Sequence, residues 1–311
     1  MRRQILEKGL MSKTNNPTRT LSIEKRWIKE ITRSYSSFNR DVSEKLQEYS
    51  KGMQTNAVIG LNVEQQKLFM SWLLTRIEEL TGEPAPLNWQ NQYQLESYIR
   101  AVESTRQSLI SQGADISLTD AEIVQSQGFE FTATATLGSA SVAPAIHQDA
   151  LEFLFTRSYE SLKGWNDALA KEVRQITFDA VKNGEGITET TKKIKERTGV
   201  AKSRAELIAR TETISAYREG SISETERAAQ ELDEELKMRW ITALDGRVRH
   251  LHATFHGTID TPEETRRKGA ISPFNCRCSQ IPVIPGVNDT EKRNAKYSEQ
   301  RKQMLQAEKG I

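Results

Sequence analysis

The chain has 311 residues, of which 36% are hydrophobic and 28% charged, and a formal net charge of +2. That length suits two domains, or one extended helical body with a small module attached. A nearly balanced charge gives no bulk reason to expect a nucleic-acid or membrane partner, and no apolar run approaches the roughly 18–20 residues that cross a bilayer.

The N-terminus, from Met1 to Lys8, lacks the apolar core of a signal peptide. Cys276 and Cys278 are the only cysteines, and one intervening residue rarely permits disulfide geometry. A soluble protein made in a reducing cytoplasm is the expectation. Charge is patchy: residues 1–33 hold nine Lys/Arg against Glu7, Glu24 and Glu30. Residues 192–210 are also basic, and 224–235 are acidic apart from Arg227. Such runs read first as solvated helix faces and second as contacts for an acidic partner or DNA phosphates.

Residues 1–20 read as a polar, basic, mobile arm. From Leu21 to Tyr49 the spacing of Ile23, Trp27, Ile28, Ile31, Tyr35, Phe38, Val42, Leu46 and Tyr49 predicts an amphipathic helix with one apolar stripe. A second helix is predicted over about 63–80, stopped by Thr81-Gly82-Glu83-Pro84, and a third over about 89–112, ending near Gly113. Phe129 to Thr136 alternates with period two and predicts a strand or hairpin arm. Residues 138–144 read as a flexible joint, where the main boundary is expected.

The longest periodic segment, Ile146 to Asn183, predicts a helix with Gly164 as a kink candidate. A short helix over about 188–198 is expected to close at Gly199. Ser203 and Glu206 then have the spacing of a capping box, which predicts a fresh helix from Ala205 to Tyr217, extending past Gly220 toward Leu236. The fold class expected is mainly α: an elongated helical N-terminal half, a helical connector and a small α+β C-terminal module. Its boundaries are a basic arm 1–20, a helical region with a short β element 21–137, a connector 138–235, a Cys/His module 236–286 closed by a strand at Ile281–Ile284, and a polar tail 287–311, a frayed helix or disordered.

Three of the four histidines and both cysteines fall between Trp240 and Cys278. Zinc takes four ligands from thiolate and imidazole. Cys276 and Cys278 offer two, and His252 with His250 or His256 the others. His250 and His252 share a face if the segment is a strand, His252 and His256 if it is a helix. The competing reading is a cysteine-lined core beneath a loop. Arg204, Glu206, Arg210 and Glu212 lie on one helix, with Glu206 and Arg210 four apart. If these groups are buried against Asp245 and Arg247, they fix how the helix docks on the module. An enzyme built on Asp245 and the histidines is the alternative. The chain shows no phosphate-cradling glycine loop, nucleophile elbow or H-E-x-x-H pair, so a non-enzyme is expected.

The run Arg204-Ala205-Glu206-Leu207-Ile208-Ala209-Arg210-Thr211-Glu212 carries a resemblance. With Trp240, Asp245, Arg247, Arg249, His252, Gly257 and the closing Asn275-Cys276-Arg277-Cys278, it resembles the phage head morphogenesis family of Mu F-like minor capsid proteins over roughly 150–285. Many family members carry a cysteine pair where this chain has Arg249 and His252. The resemblance implies a minor head protein acting in capsid assembly, with the portal and other head proteins as partners and non-specific DNA as a further contact. It implies a place in the virion, in the capsid interior near the portal, and no membrane. A metal-dependent, nuclease-like enzyme acting on DNA is the alternative. Structural zinc is the candidate cofactor, and His252, His256, Cys276 and Cys278 are its candidate ligands.

Overall fold

The computed structural model describes residues 17–50, 63–82, 88–116, 145–183, 185–271, 274–287 and 290–309. The predicted strand at 129–136, the joint at 138–144 and the arm up to residue 16 lie outside them. The helices are α1 (Leu21–Ser50), α2 (Val63–Thr81), α3 (Asn91–Ile110), α4 (Ala145–Asn183) and α5 (Ile187–Leu232). There follow β1 (Lys237–Ile241), α6 (His250–Phe255), β2 (Ile259–Asp260), α7 (Pro262–Gly269), β3 (Ser279–Val283) and α8 (Glu291–Lys309). The class is as expected: mainly helical, with a small antiparallel sheet near the C-terminus.

Two compact units are present, both discontinuous in sequence. One comprises Met1–Glu24, Gln90–Leu154 and Arg210–Ile311, the other Lys25–Trp89 and Phe155–Ala209.

The second unit is helical and follows the sequence pattern closely. Trp27, Ile31, Tyr35, Phe38, Val42 and Leu46 of α1 are all buried, as are Phe69, Leu73 and Ile77 of α2 and Leu162, Leu169 and Val173 of α4. Burying one stripe of each helix is what holds such a bundle together. A buried polar chain runs through the unit: the Tyr35 hydroxyl donates to Asn166 Oδ1 (2.8 Å), and Asn166 Nδ2 donates to Thr81 Oγ1 (3.0 Å). Gly82, at φ +75°, ends α2 as the sequence suggests.

Helix α5 departs from expectation. It runs unbroken through Gly199, Ser203 and Gly220. Ser203 is no cap; its hydroxyl donates to the Gly199 carbonyl one turn back (3.0 Å). Gly199 and Val200 lie on the exposed face, where glycine costs only its propensity, about 1 kcal/mol. The apolar stripe of Ile194, Ala201, Ala205 and Ile208 continues underneath. Gly220 serves a close approach instead, since a Cβ there would lie 2.6 Å from the Tyr98 carbonyl oxygen of α3.

In the first unit, α3 and the end of α5 approach closely at two small residues, Ala101 and Gly220. Hydroxyls tie the two backbones: Ser97 Oγ donates to the Thr213 carbonyl (2.6 Å), and Thr105 pairs with Ser221 (2.9 Å). Between them Glu224 is fully buried. It accepts from Arg106 Nε (2.8 Å), Arg227 Nη2 (2.7 Å) and His147 Nε2 (3.2 Å). His147 Nδ1 lies 2.8 Å from the Tyr98 hydroxyl. A neutral ring satisfies both contacts, with Nε2–H donating to Glu224 and the hydroxyl donating to Nδ1. Residues 17–20 are fixed as well: Thr18 and Thr20 are buried and bonded to each other (2.8 Å), and the Thr20 carbonyl receives the first amides of α1.

The sheet order is β2-β1-β3, with Met238 opposite Pro282 and Asp260, and Arg239 opposite Ile281 and Ile259. Gln112, just past α3, finishes the outer edge of β3: its amide donates to the Pro282 carbonyl (3.1 Å) and accepts from Ile284 N (2.9 Å). The tail expected to fray is the helix α8. Asn294 accepts from Arg239 (2.9 Å), the Tyr297 ring lies under the Arg239 guanidinium (4.7 Å), and Met304 is buried.

Burial alone would raise the Glu224 carboxyl, but the bonds from His147, Arg227 and Arg106 outweigh it and hold the group at about 2, below its ordinary 4.5. Its contribution, about 3 kcal/mol, is therefore present above pH 4.5 and lost as pH falls through 2. Glu224→Gln should lower the unfolding free energy at neutral pH by about 3–5 kcal/mol, because it leaves buried cations without their anion. Urea titrations at a series of pH values should show the acid limb between pH 4.5 and 2 flattened in the variant.

Candidate functional site

The Cys/His module is built around β1. Trp240 is buried and packs edge-on against His252 (6.1 Å between centroids) and Phe255 (5.5 Å). On the other face of the strand Arg239 turns toward α8. The loop after β1 is clasped by Asp245, which accepts from Arg277 Nη2 (2.6 Å) and from the Arg247 amide (3.0 Å). Burial opposes ionisation of Asp245, but the Arg277 and Arg247 hydrogen bonds win, so its pKa is lowered. The Arg247 side chain itself is mostly exposed.

Asn275 adopts φ +53°, a left-handed conformation that asparagine tolerates better than most residues. Its amide donates to Thr211 Oγ1 of α5 (3.4 Å). The two cysteines that follow are buried free thiols. His252 Nδ1 lies 3.4 Å from Cys276 Sγ and 3.6 Å from Cys278 Sγ, while its Nε2 meets the Ile271 carbonyl (3.1 Å). The carbonyl can only accept, so Nε2 carries the proton and the Nδ1 lone pair faces both sulfurs. The Cys276 thiol is held below its usual range, first by the hydrogen bond from Cys278, against burial, with help from the Arg218 charge. The Cys278 thiol is correspondingly pushed up.

His256 is not part of this cluster. It stands just beyond the six-residue α6, with φ −56° and ψ 123°, so the helical relation that would place it beside His252 is broken. Its Nδ1 meets the Thr242 amide (3.2 Å) and hydroxyl (3.1 Å), and Nε2 donates to Gln300 of α8 (3.1 Å). Burial, first, and the nearby Arg301 and Arg239 lower its pKa against the pull of Gln300. His250 is exposed. The neighbouring Gly257, at φ +78°, sits where a Cβ would come 2.3 Å from Tyr297 Cβ, so α8 docks only against glycine.

The arginine-bearing helix meets the module at Thr211, which accepts from the Asn275 backbone amide. Arg204 lies over the Trp165 ring (4.4 Å), Glu206 is near Lys202 (3.8 Å), Arg210 pairs with Glu24 (3.5 Å), and Glu212 is buried. Further contacts lie farther along α5. Arg218 donates to the Gly269 carbonyl (2.8 Å) and to Cys276 Sγ (3.4 Å), with its guanidinium 5.5 Å from the Trp240 ring centre. Glu219 and Glu226 together grip Arg266 of α7 (2.9–3.0 Å). Sequence reasoning missed Arg218, Glu219, Glu226 and Arg266. The seven-residue interval between the two glutamates is the signal that placed them on one helical face.

These elements form a small knob of strands and short helices clamped by one face of a long helix. Residues 171–281 match the family described as phage Mu protein F like protein, so the resemblance read from the motifs stands on an independent match over this segment. A Haemophilus influenzae protein is 29% identical over 165 residues, 49% of this chain and 35% of that one. An Enterococcus faecalis protein named NAD(+)--arginine ADP-ribosyltransferase EFV is 28% identical over 146 residues, 42% of this chain and 29% of that one. The chain thus spans about a third of the length of these relatives. No solved structure matches.

Replacing Arg218 with Met keeps its bulk but removes the fork, leaving the Gly269 carbonyl unmatched. Chemical denaturation should show a loss of about 2–3 kcal/mol, and Arg218→Lys should recover only part of it, since an ammonium cannot span both acceptors.

Proposed function

We propose that the protein is a minor head protein that acts in phage head assembly beside the portal, by binding and not by catalysis. The observation that carries this reading is the family match over 171–281, whose span ends in β3 and contains the clamp between α5 and the module. The groups that could suggest chemistry are engaged structurally. Asp245 is clasped by Arg277, both ring nitrogens of His256 are in use, and His252 Nε2 holds a backbone carbonyl. A general base needs a lone pair aimed at a substrate proton. Transferase activity belongs to the name of the Enterococcus relative, which shares 29% of its length with this chain, and is not carried over.

Non-specific contact with packaged DNA is part of the proposal. Arg247 and Arg267 present exposed guanidinium groups on the module, and α8 adds exposed Lys292, Arg293, Lys296 and Lys302. Such contacts work by counterion release and weaken steeply with salt. Among the described residues no helix is long and apolar enough to cross a membrane, and a place in the virion is part of the same proposal.

The test is a pull-down of tagged full-length protein from cells assembling heads. Portal subunits should be recovered with it, and deletion should abolish infectious heads. Recovery of soluble protein with no head component attached would overturn the proposal.

A further inference from the structure

We propose that His252 Nδ1, Cys276 Sγ and Cys278 Sγ are three ligands of a zinc ion that pins α6 to the segment entering β3. Zinc binds thiolate at about 2.3 Å and imidazole at about 2.0–2.1 Å in tetrahedral geometry, which sets the sulfur–nitrogen edge of the tetrahedron at about 3.6 Å. The two observed edges are 3.4 and 3.6 Å, and all three ligand atoms lie within 4.8 Å of one another. A single cation therefore reaches all three without moving the backbone.

The surroundings suit a metal as well as the distances do. A ligating imidazole is ordinarily oriented by its second N–H on a carbonyl or carboxylate, and His252 Nε2 has the Ile271 carbonyl in that position (3.1 Å). The zinc thiolates would keep an outer donor in Arg218, 3.4 Å from Cys276 Sγ, and a backbone donor in the Cys278 amide, at the same distance. Two thiolates and a neutral imidazole form a soft, neutral-total set with a divalent ion, which selects zinc over magnesium or calcium. The three residues also line one small pocket with Ala243, Arg249 and Asn275. Water from that pocket completes the tetrahedron. Arg249 cannot ligate, and no free carboxylate lines the pocket to act on that water. The ion is structural: it joins two segments 24 residues apart in sequence.

Zinc at this position is independent of any role in head assembly and is measured on the isolated full chain. Protein purified without chelator should carry stoichiometric zinc by elemental analysis. Cys276→Ser, Cys278→Ser and His252→Ala should lose it, while the exposed His250→Ala retains it. The wild-type protein refilled with cobalt needs no variant to fold, and should show a thiolate-to-cobalt charge-transfer band with tetrahedral visible bands. Stripping the metal should lower the melting midpoint, restored by zinc and not by magnesium. No zinc after purification and dialysis against it, a cobalt form without the charge-transfer band, zinc retained by the cysteine variants, or zinc lost in His250→Ala would each overturn the assigned ligand set.

Discussion

A carboxylate removed from water must be met by donors on every side, and in the first unit that requirement falls on Glu224. Its donors come from three places in the chain: Arg106 on α3, His147 at the start of α4, and Arg227 one turn along α5. Such a network stabilises little compared with an apolar core of the same volume, because the charges have lost their hydration. What it supplies is selectivity. Apolar faces tolerate sliding, whereas an arginine one turn out of register leaves a bare charge inside the protein. The neighbouring hydroxyl ties, Ser97 to Thr213 and Thr105 to Ser221, need the short spacing that Gly220 permits. Close approach and charge satisfaction therefore specify the same packing of α3 on α5.

That packing sets where Arg218 points. Glu224 and Arg218 lie six residues apart on α5, one serving the helical part of the unit and the other the module. The sheet is too small to stand alone: β2 has two residues and β1 five. It is held by what surrounds it. Gln112 finishes one edge, Arg239 and Gly257 receive α8, and Arg218 reaches both the end of α7 and a cysteine sulfur. Apart from the close approach at Gly257, each attachment uses a polar side chain hydrogen-bonded to its partners, so hydrogen bonds orient the module.

This distinction explains what was legible in the sequence. Helix α1 could be read residue by residue because its buried face is apolar and its period regular. Helix α5 could not, because buried Thr, Ser, Arg and Glu alternate with Ala along its second half, and a polar residue is ordinarily counted as solvent-facing. Gly199 and Ser203 then supplied false stop and start signals, although one lies on an open surface and the other bonds within the helix. The docking of helix α8, read as a frayed helix or disorder, was not foreseen for a related reason. Its docking face is Asn294, Tyr297, Gln300 and Met304, a helical stripe in which three of the four residues carry polar atoms. The cysteines and histidines were conspicuous by rarity, yet rarity could not say which histidine joins the thiols. The end of α6 decides that, by turning His256 away after Phe255.

The same reasoning bears on docking against catalysis. A reactive centre keeps at least one group under-satisfied, because a lone pair already spent on a hydrogen bond is not available to a substrate. In the module Asp245, both nitrogens of His256 and His252 Nε2 are spent on structure, whereas the His252 Nδ1 lone pair faces two sulfurs. Those three atoms converge on one another, between a tryptophan and an arginine, at edges that fit a tetrahedral ion. A convergent set of soft donors without a carboxylate beside it is suited to holding an ion in place, and poorly suited to moving protons around one. The conspicuous residues of this sequence are therefore the means by which a module with only a small core around Trp240, Cys276 and Cys278 keeps its shape.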